Sequence, residues 1–124
     1  MTVEGGAADR RTQLIRGVLD MCLLAMLRQQ PGHAYELSHR LQQAGLGETS
    51  YGTIYPLITR LRRLGLLDER SQPSDAGPPR KIFSVSPRGQ DALAAWSTQW
   101  LQSTRVVATL LVATDVVDPQ EVVL

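Results

Sequence analysis

Residues 49–67 read TSYGTIYPLITRLRRLGLL, and the spacing within this stretch decides the fold class. Ile54, Leu57, Ile58, Leu61 and Leu64 recur at i, i+3, i+4, i+7 and i+10, the stripe of a helix with one buried face. Gly65 stops the pattern. Its start admits two readings. Ser50 is a good N-cap, but Pro56 then lies past the first turn and breaks the bond to the Gly52 carbonyl. If Thr53 caps instead, Pro56 falls in the first turn at little cost. A distorted first turn from Ser50 accommodates both. With Ile54 inward, Gly52, Pro56, Thr59 and Arg63 point outward and Tyr55 sits at the flank.

Working backwards, residues 34–44 carry Tyr35, Leu37, Leu41 and Ala44 at helical spacing, and Gly45 and Gly47 terminate that helix. Pro31-Gly32 separates it from a longer pattern over 12–29. There Leu14, Val18, Met21, Cys22, Ala25 and Met26 form one stripe, and Leu19, Leu23, Leu24 and Leu27 widen it. A helix this apolar is buried on more than one side, so it is expected to touch its own core and a partner subunit. Residues 1–11 are Gly/Ala-rich and aperiodic, and are expected to form a flexible tail.

Working forwards, LLDERS (66–71) and KIFSVS (81–86) are short strand candidates around the loop QPSDAGPPR. They predict a β-hairpin with a loose tip. Ser86-Pro87 then caps and opens a long helix over 87–114. Leu93, Trp96, Trp100, Val107 and Leu110 or Leu111 follow near-heptad spacing, the seam of a dimerisation helix. Residues 115–124 are expected to trail off.

The resulting order is helix, helix, helix, hairpin, helix. It predicts a mainly α protein with a small β-hairpin (α+β): a winged helix-turn-helix domain over 12–86 followed by the C-terminal dimerisation helix. In that layout the second helix of the pair faces the DNA major groove and the hairpin reaches a phosphate or the minor groove. The charge distribution agrees. The chain carries only +1 overall, but residues 50–90 hold seven basic and three acidic side chains, a local +4. Twelve of the thirteen basic residues are Arg, through genome composition or because a guanidinium binds phosphate and guanine bidentately. Ser50, Tyr51 and Thr53 crowd the helix N-terminus, where free amides favour phosphate. Gly52 lets the backbone come close to DNA, Thr59 and Arg63 lie on the outward face, and the hydroxyl of Ser50 can serve as cap, contact or both.

Other classes find no support in the residues. Cys22 is the only cysteine, and His33 and His39 lack metal-ligand spacing, so neither a disulfide scaffold nor a metal site is expected. No catalytic constellation or phosphate loop is present, and no enzyme activity or cofactor is expected. Without a signal-peptide pattern or a membrane-length apolar run, the expected location is the cytoplasm. A winged-helix protein–protein adaptor is the alternative reading, and the retained Arg63, Arg80 and Lys81 argue against it.

The same stretch resembles the PadR family of bacterial transcriptional regulators. The similarity rests on Gly52-Thr53-Ile54-Tyr55-Pro56, Arg60-Leu61 and Gly65-Leu66. GHAYEL (32–37) and GPPRKIFSVSPRGQDAL (77–93) are also similar to the family, with Ala34 where the family has glycine and Ile82-Phe83 where it often has tyrosines. The resemblance spans roughly residues 12–100 and is closest to short-form members with one C-terminal helix. It implies a homodimeric repressor on a pseudo-palindromic operator in double-stranded DNA, with Tyr35, Tyr55 and Lys81 as DNA contacts. It also implies release by a partner or a small molecule. Trp96 and Trp100 sit four apart on the expected seam with Leu14, Val18, Leu93 and Val107. The indoles either fill that interface or stack on a planar hydrophobic effector.

Overall fold

The computed structural model describes residues 6–47 and 49–122. Three helices, α1 (Ala7–Gln29), α2 (Ala34–Gln43) and α3 (Tyr51–Arg63), precede the strands β1 (Leu67–Gln72) and β2 (Arg80–Val85) and the long helix α4 (Pro87–Ala113). A 3₁₀ turn, Pro119–Glu121, follows. The two strands pair antiparallel, with Leu67 opposite Val85 and Gln72 opposite Arg80. The architecture is the expected winged helix-turn-helix with an added helix.

The core forms where the apolar stripes meet. Leu19, Leu23, Leu24 and Leu27 of α1, Leu37 and Leu41 of α2, and Ile54, Ile58 and Leu61 of α3 are buried together. Phe83 from β2 and Leu93 from α4 close the cluster. The expected partner stripe of α1 behaves differently: Leu14 is 62% exposed, and Met21, Cys22, Ala25 and Met26 only lean on the core. Burial pushes the Cys22 thiol above its usual range, and the Asp20 carboxylate adds to this, so the thiol packs rather than reacts.

Several ends differ from the sequence expectation. α1 begins at Ala7, five residues before Thr12, so only residues 1–5 of the expected tail fall outside the described chain. Ala7 and Ala8 are good helix formers, Asp9 suits the N-terminal dipole, and the Arg11 guanidinium donates to the Gly45 carbonyl at 2.9 Å, tying α1 to the α2–α3 turn. At the other end of α1, Arg40 donates to the carbonyls of Met26 (2.6 Å) and Gln30 (3.0 Å). The Met26 carbonyl also accepts from the Gln30 amide at 3.0 Å, so the α2 side chain adds a second donor there and supplies one to the Gln30 carbonyl just past the end of α1. Both strands are displaced by one residue from their expected limits. Residues 119–121 form a turn instead of trailing off, because the Asp118 carboxylate accepts from the Gln120 amide at 2.9 Å. Residues 123–124 of that expected tail lie outside the described chain.

The start of α4 fixes the wing. Ser86 Oγ accepts from the Gly89 amide (3.0 Å) and donates to the Gly65 carbonyl (2.7 Å), so one buried hydroxyl caps α4 and holds the end of α3. Gly89 lies so close to Leu66 that a Cβ built there would sit 2.0 Å from the Leu66 carbonyl oxygen. Gly89→Ala is therefore expected to cost several kcal/mol, at least about 3, as overpacking against backbone that cannot move aside. Ser86→Ala should cost about 1–2 kcal/mol by losing the cap of α4 and the bond to the Gly65 carbonyl. Thermal or urea unfolding of both variants checks this, and a Gly89→Ala protein as stable as the wild type would refute the packing described.

Candidate nucleic-acid interface

α3 begins as the first of the two alternatives has it, with Ser50 at the N-cap and Pro56 six residues into the helix. The Ser50 hydroxyl makes no capping bond; it sits 3.2 Å from the Thr53 hydroxyl instead. The expected cap is replaced by a pair of hydroxyls at the helix end. Proline at position 56 leaves the Gly52 carbonyl without its usual intrahelical donor. Gly52 is exposed, and a Cβ there would meet only Ser50 Oγ at 3.7 Å. Nothing within the described chain requires glycine at 52, so any need for it comes from outside. Pro56 and Arg63 face solvent as expected. Thr59 is a correction: it is half-buried, turned partly towards the body of the protein.

The fold gathers all three tyrosines of the chain into one exposed cluster of tilted rings. The Tyr35 ring, 73% exposed on α2, lies 6.1 Å from that of Tyr51, which lies 5.5 Å from Tyr55 on α3. Arg80 and Lys81 of β2 line a groove of about 610 Å³ with these rings, with Ala34 and Phe83 at its base. Six expected contact residues (Tyr35, Ser50, Tyr51, Gly52, Thr53 and Tyr55) thus lie around the N-terminal ends of α2 and α3, and Arg80 and Lys81 join them from the wing. Arg63 stands apart at the last turn of α3, exposed and without an ion pair among the described residues.

Two acid–base contacts that the sequence did not reveal organise the wing. Successive strand residues point to opposite faces, so Arg80 and Lys81 take different partners. Lys81 Nζ lies 3.3 Å from Glu69 Oε1, and Glu69 also accepts from the Arg62 guanidinium. Glu69 therefore joins α3 to both strands. The hydrogen bond from Arg62 holds the Glu69 carboxyl below the usual 4.5; partial desolvation opposes this, and Lys81 reinforces it. On the other face Arg80 Nη1 lies 3.4 Å from His33 Nε2, and Glu36 Oε1 lies 3.0 Å from the same nitrogen. A glutamate three residues after a helix cap was a readable signal for the second contact. The first depends on strand register.

The expected seam divides. Leu93 is a correction: at 7% exposure it belongs to its own protomer's core and has little surface to offer a partner. Heptad spacing located the stripe, but α1 and β2 cover its first turn. Trp96 leans on the core, while Trp100 is 38% exposed. Both line a groove of about 380 Å³ with Val18, Met21 and Asp20 of α1. Val107 stands exposed two turns further along α4, beside Val106, Leu110 and Leu111.

Residues 23–95, more than half of the chain and the whole span from the core of α1 to α4, match the PadR-like family of transcriptional regulators. The chain belongs to this family. A PadR-like regulator of Bacillus cereus is 32% identical and superposes with a TM-score of 0.72 over 80% of this chain and 96% of its own. A PadR-family regulator of Eggerthella lenta is 31% identical, with a TM-score of 0.78 over 84% and 90% of the two chains. PadR of Bacillus subtilis, solved in complex with operator DNA, is 20% identical and shares the fold, with a TM-score of 0.58 over 64% of this chain and 46% of its own. No curated protein matches significantly. PadR-like proteins are transcriptional regulators and not enzymes. Among the described residues no helix is long and apolar enough to cross a membrane.

Glu69 carries a pH signature with a definite sign. Its carboxyl is depressed in the folded chain, so the stability it contributes is present above its unfolded value and lost as pH falls through the folded one. Glu69→Gln should melt slightly below wild type at pH 7, and the gap should close below about pH 4. Paired thermal melts across pH 3–7 check this; a gap that persists unchanged at pH 3 would contradict the ion pair.

Proposed function

We propose that this regulator binds double-stranded operator DNA as a homodimer, with α3 in the major groove and the β1–β2 wing on the adjacent backbone. One observation carries the reading: the exposed tyrosine cluster and the wing cations share one groove at the N-terminal end of α3. Tyrosine hydroxyls and helix-end amides suit phosphate oxygens, and exposed rings suit sugars and base edges. The operator complex of Bacillus subtilis PadR, on the same fold, supports it. Tyr35, Ser50, Tyr51, Gly52, Thr53, Tyr55, Thr59, Arg63, Arg80 and Lys81 are the proposed contact set, with Thr59 at its margin. The output is repression of a cytoplasmic promoter through a pseudo-palindromic site.

Fluorescence anisotropy of a labelled duplex from the protein's own upstream region tests the contacts. Tight binding to that duplex over a scrambled one, weakening steeply with salt, is the expected result. Lys81→Ala should weaken both and lower the salt slope by about 1, whereas Tyr55→Ala should reduce the preference for the native duplex. Equal weak binding of wild type and variants to both duplexes would favour a protein–protein adaptor.

The dimer seam is proposed from the apolar surface that the protomer leaves open: Leu14 and Val18 on α1, and Trp96, Trp100 and Val107 on α4. Val107→Asp should convert a dimer into a monomer in sedimentation velocity without unfolding it, because residue 107 is exposed in the protomer. A monomeric wild type would contradict the seam. The indoles Trp96 and Trp100, next to each other along an open groove, are the proposed seat of a planar hydrophobic effector that releases DNA. Titrating planar dyes into the dimer should quench Trp fluorescence, and no response to any dye would count against an effector there.

A further inference from the structure

His33 stands between two charged neighbours that compete for one atom. Its Nε2 is 3.0 Å from the Glu36 carboxylate and 3.4 Å from the Arg80 guanidinium. A guanidinium only donates hydrogen bonds, so it needs the Nε2 lone pair; a carboxylate only accepts, so it needs a proton there. The two contacts are therefore mutually exclusive in their strong forms. The backbone makes the arrangement rigid: Gly32 and Phe83 exchange bonds of 3.1 and 2.8 Å, pinning the α1–α2 turn to β2 three residues from Arg80. The His33 amide also donates to Glu36 Oε1 at 3.2 Å, which keeps that carboxylate in place.

We propose that His33 is a positioning residue for the wing, its proton state deciding whether Arg80 is held against the protein or freed for DNA phosphate. This rests on the DNA-binding reading above. With the proton on Nδ1 only, Nε2 accepts from Arg80 and retains the guanidinium. When a solvent proton adds to Nε2, the imidazolium donates to Glu36, loses its lone pair and repels Arg80. The other charged groups around the site do not substitute for His33. Arg40 on α2 is engaged by the carbonyls of Met26 and Gln30, and Lys81 on β2 is paired with Glu69. Tyr35, Tyr51 and Tyr55 complete the groove wall with hydroxyls.

Freed Arg80 adds a cation at the phosphate-facing edge, so DNA affinity rises as pH falls. The chain has only two histidines, which makes the assignment clean. The experiment is anisotropy with the upstream duplex from pH 8 to 5.5 at constant ionic strength, for wild type, His33→Gln, His39→Gln and Arg80→Ala. Wild type and His39→Gln should gain roughly fivefold in affinity across this range beyond any change in His33→Gln. In Arg80→Ala the gain should vanish although His33 is intact, which a merely structural role of His33 would not produce. A gain that persists in His33→Gln overturns the proposal. So does one that persists in Arg80→Ala, which would mean the imidazolium itself touches DNA. Tight binding without a pH slope overturns this inference alone, whereas absence of DNA binding at every pH overturns the functional reading on which it rests.

Discussion

The first turn of α4 lies directly on the Leu66 carbonyl, and much of the rest depends on that approach. Gly89 permits it, and Ser86 bonds across it to the Gly65 carbonyl. The end of α3, the start of β1, the end of β2 and the root of α4 therefore meet within a few residues. This fixes the wing relative to the α3 helix from below. From the other side Arg40 ties α2 to the C-terminal carbonyls of α1, and the Gly32–Phe83 bridge ties the α1–α2 turn to β2. α2, α3 and the wing are thus held as one rigid reading head on a shared leucine-rich core.

The outer face of that head is built on the opposite principle. Its cations rest in exposed or half-exposed pairs with Glu69, Glu36 and His33, and pairs of this kind contribute little to stability. They can be exchanged for phosphate at small cost. The tyrosine rings touch at tilted angles of 48° and 32° and stay exposed, so their hydroxyls remain available. A rigid core with weakly committed cations on one face is what a DNA-reading surface needs.

Much of this was legible in the sequence, and the physical reason is periodicity. The stripe from Ile54 to Leu61 and the Ser86-Pro87 start of α4 announce their elements through spacing and capping chemistry and stand where expected, whereas Leu64, the last residue of the expected stripe, caps the helix and is 45% exposed. What failed depended on contacts distant in sequence. Ala7, Ala8 and Asp9 favour a helix start locally, but the tie that anchors it, from Arg11 to Gly45 thirty-four residues away, has no local signature. Leu93 fits a heptad, but whether such a residue faces its own core or a partner is decided by α1 and β2. Thr59, expected on the outward face, is half-buried. Among the site residues, the types were readable and the partnerships were not: Glu69 meets Lys81 only through strand register, and His33 meets Arg80 only because Gly32 pairs with Phe83.

The proposed dimer reads DNA sequence through a symmetric pair of α3 helices. Selection from a random-sequence duplex pool by the full chain, followed by sequencing, tests it most directly. Enrichment of one inverted repeat is expected, its half-sites lying about one helical turn (10 bp) or a multiple of it apart. Recovery of an unenriched pool, or of single sites without two-fold symmetry, would contradict it.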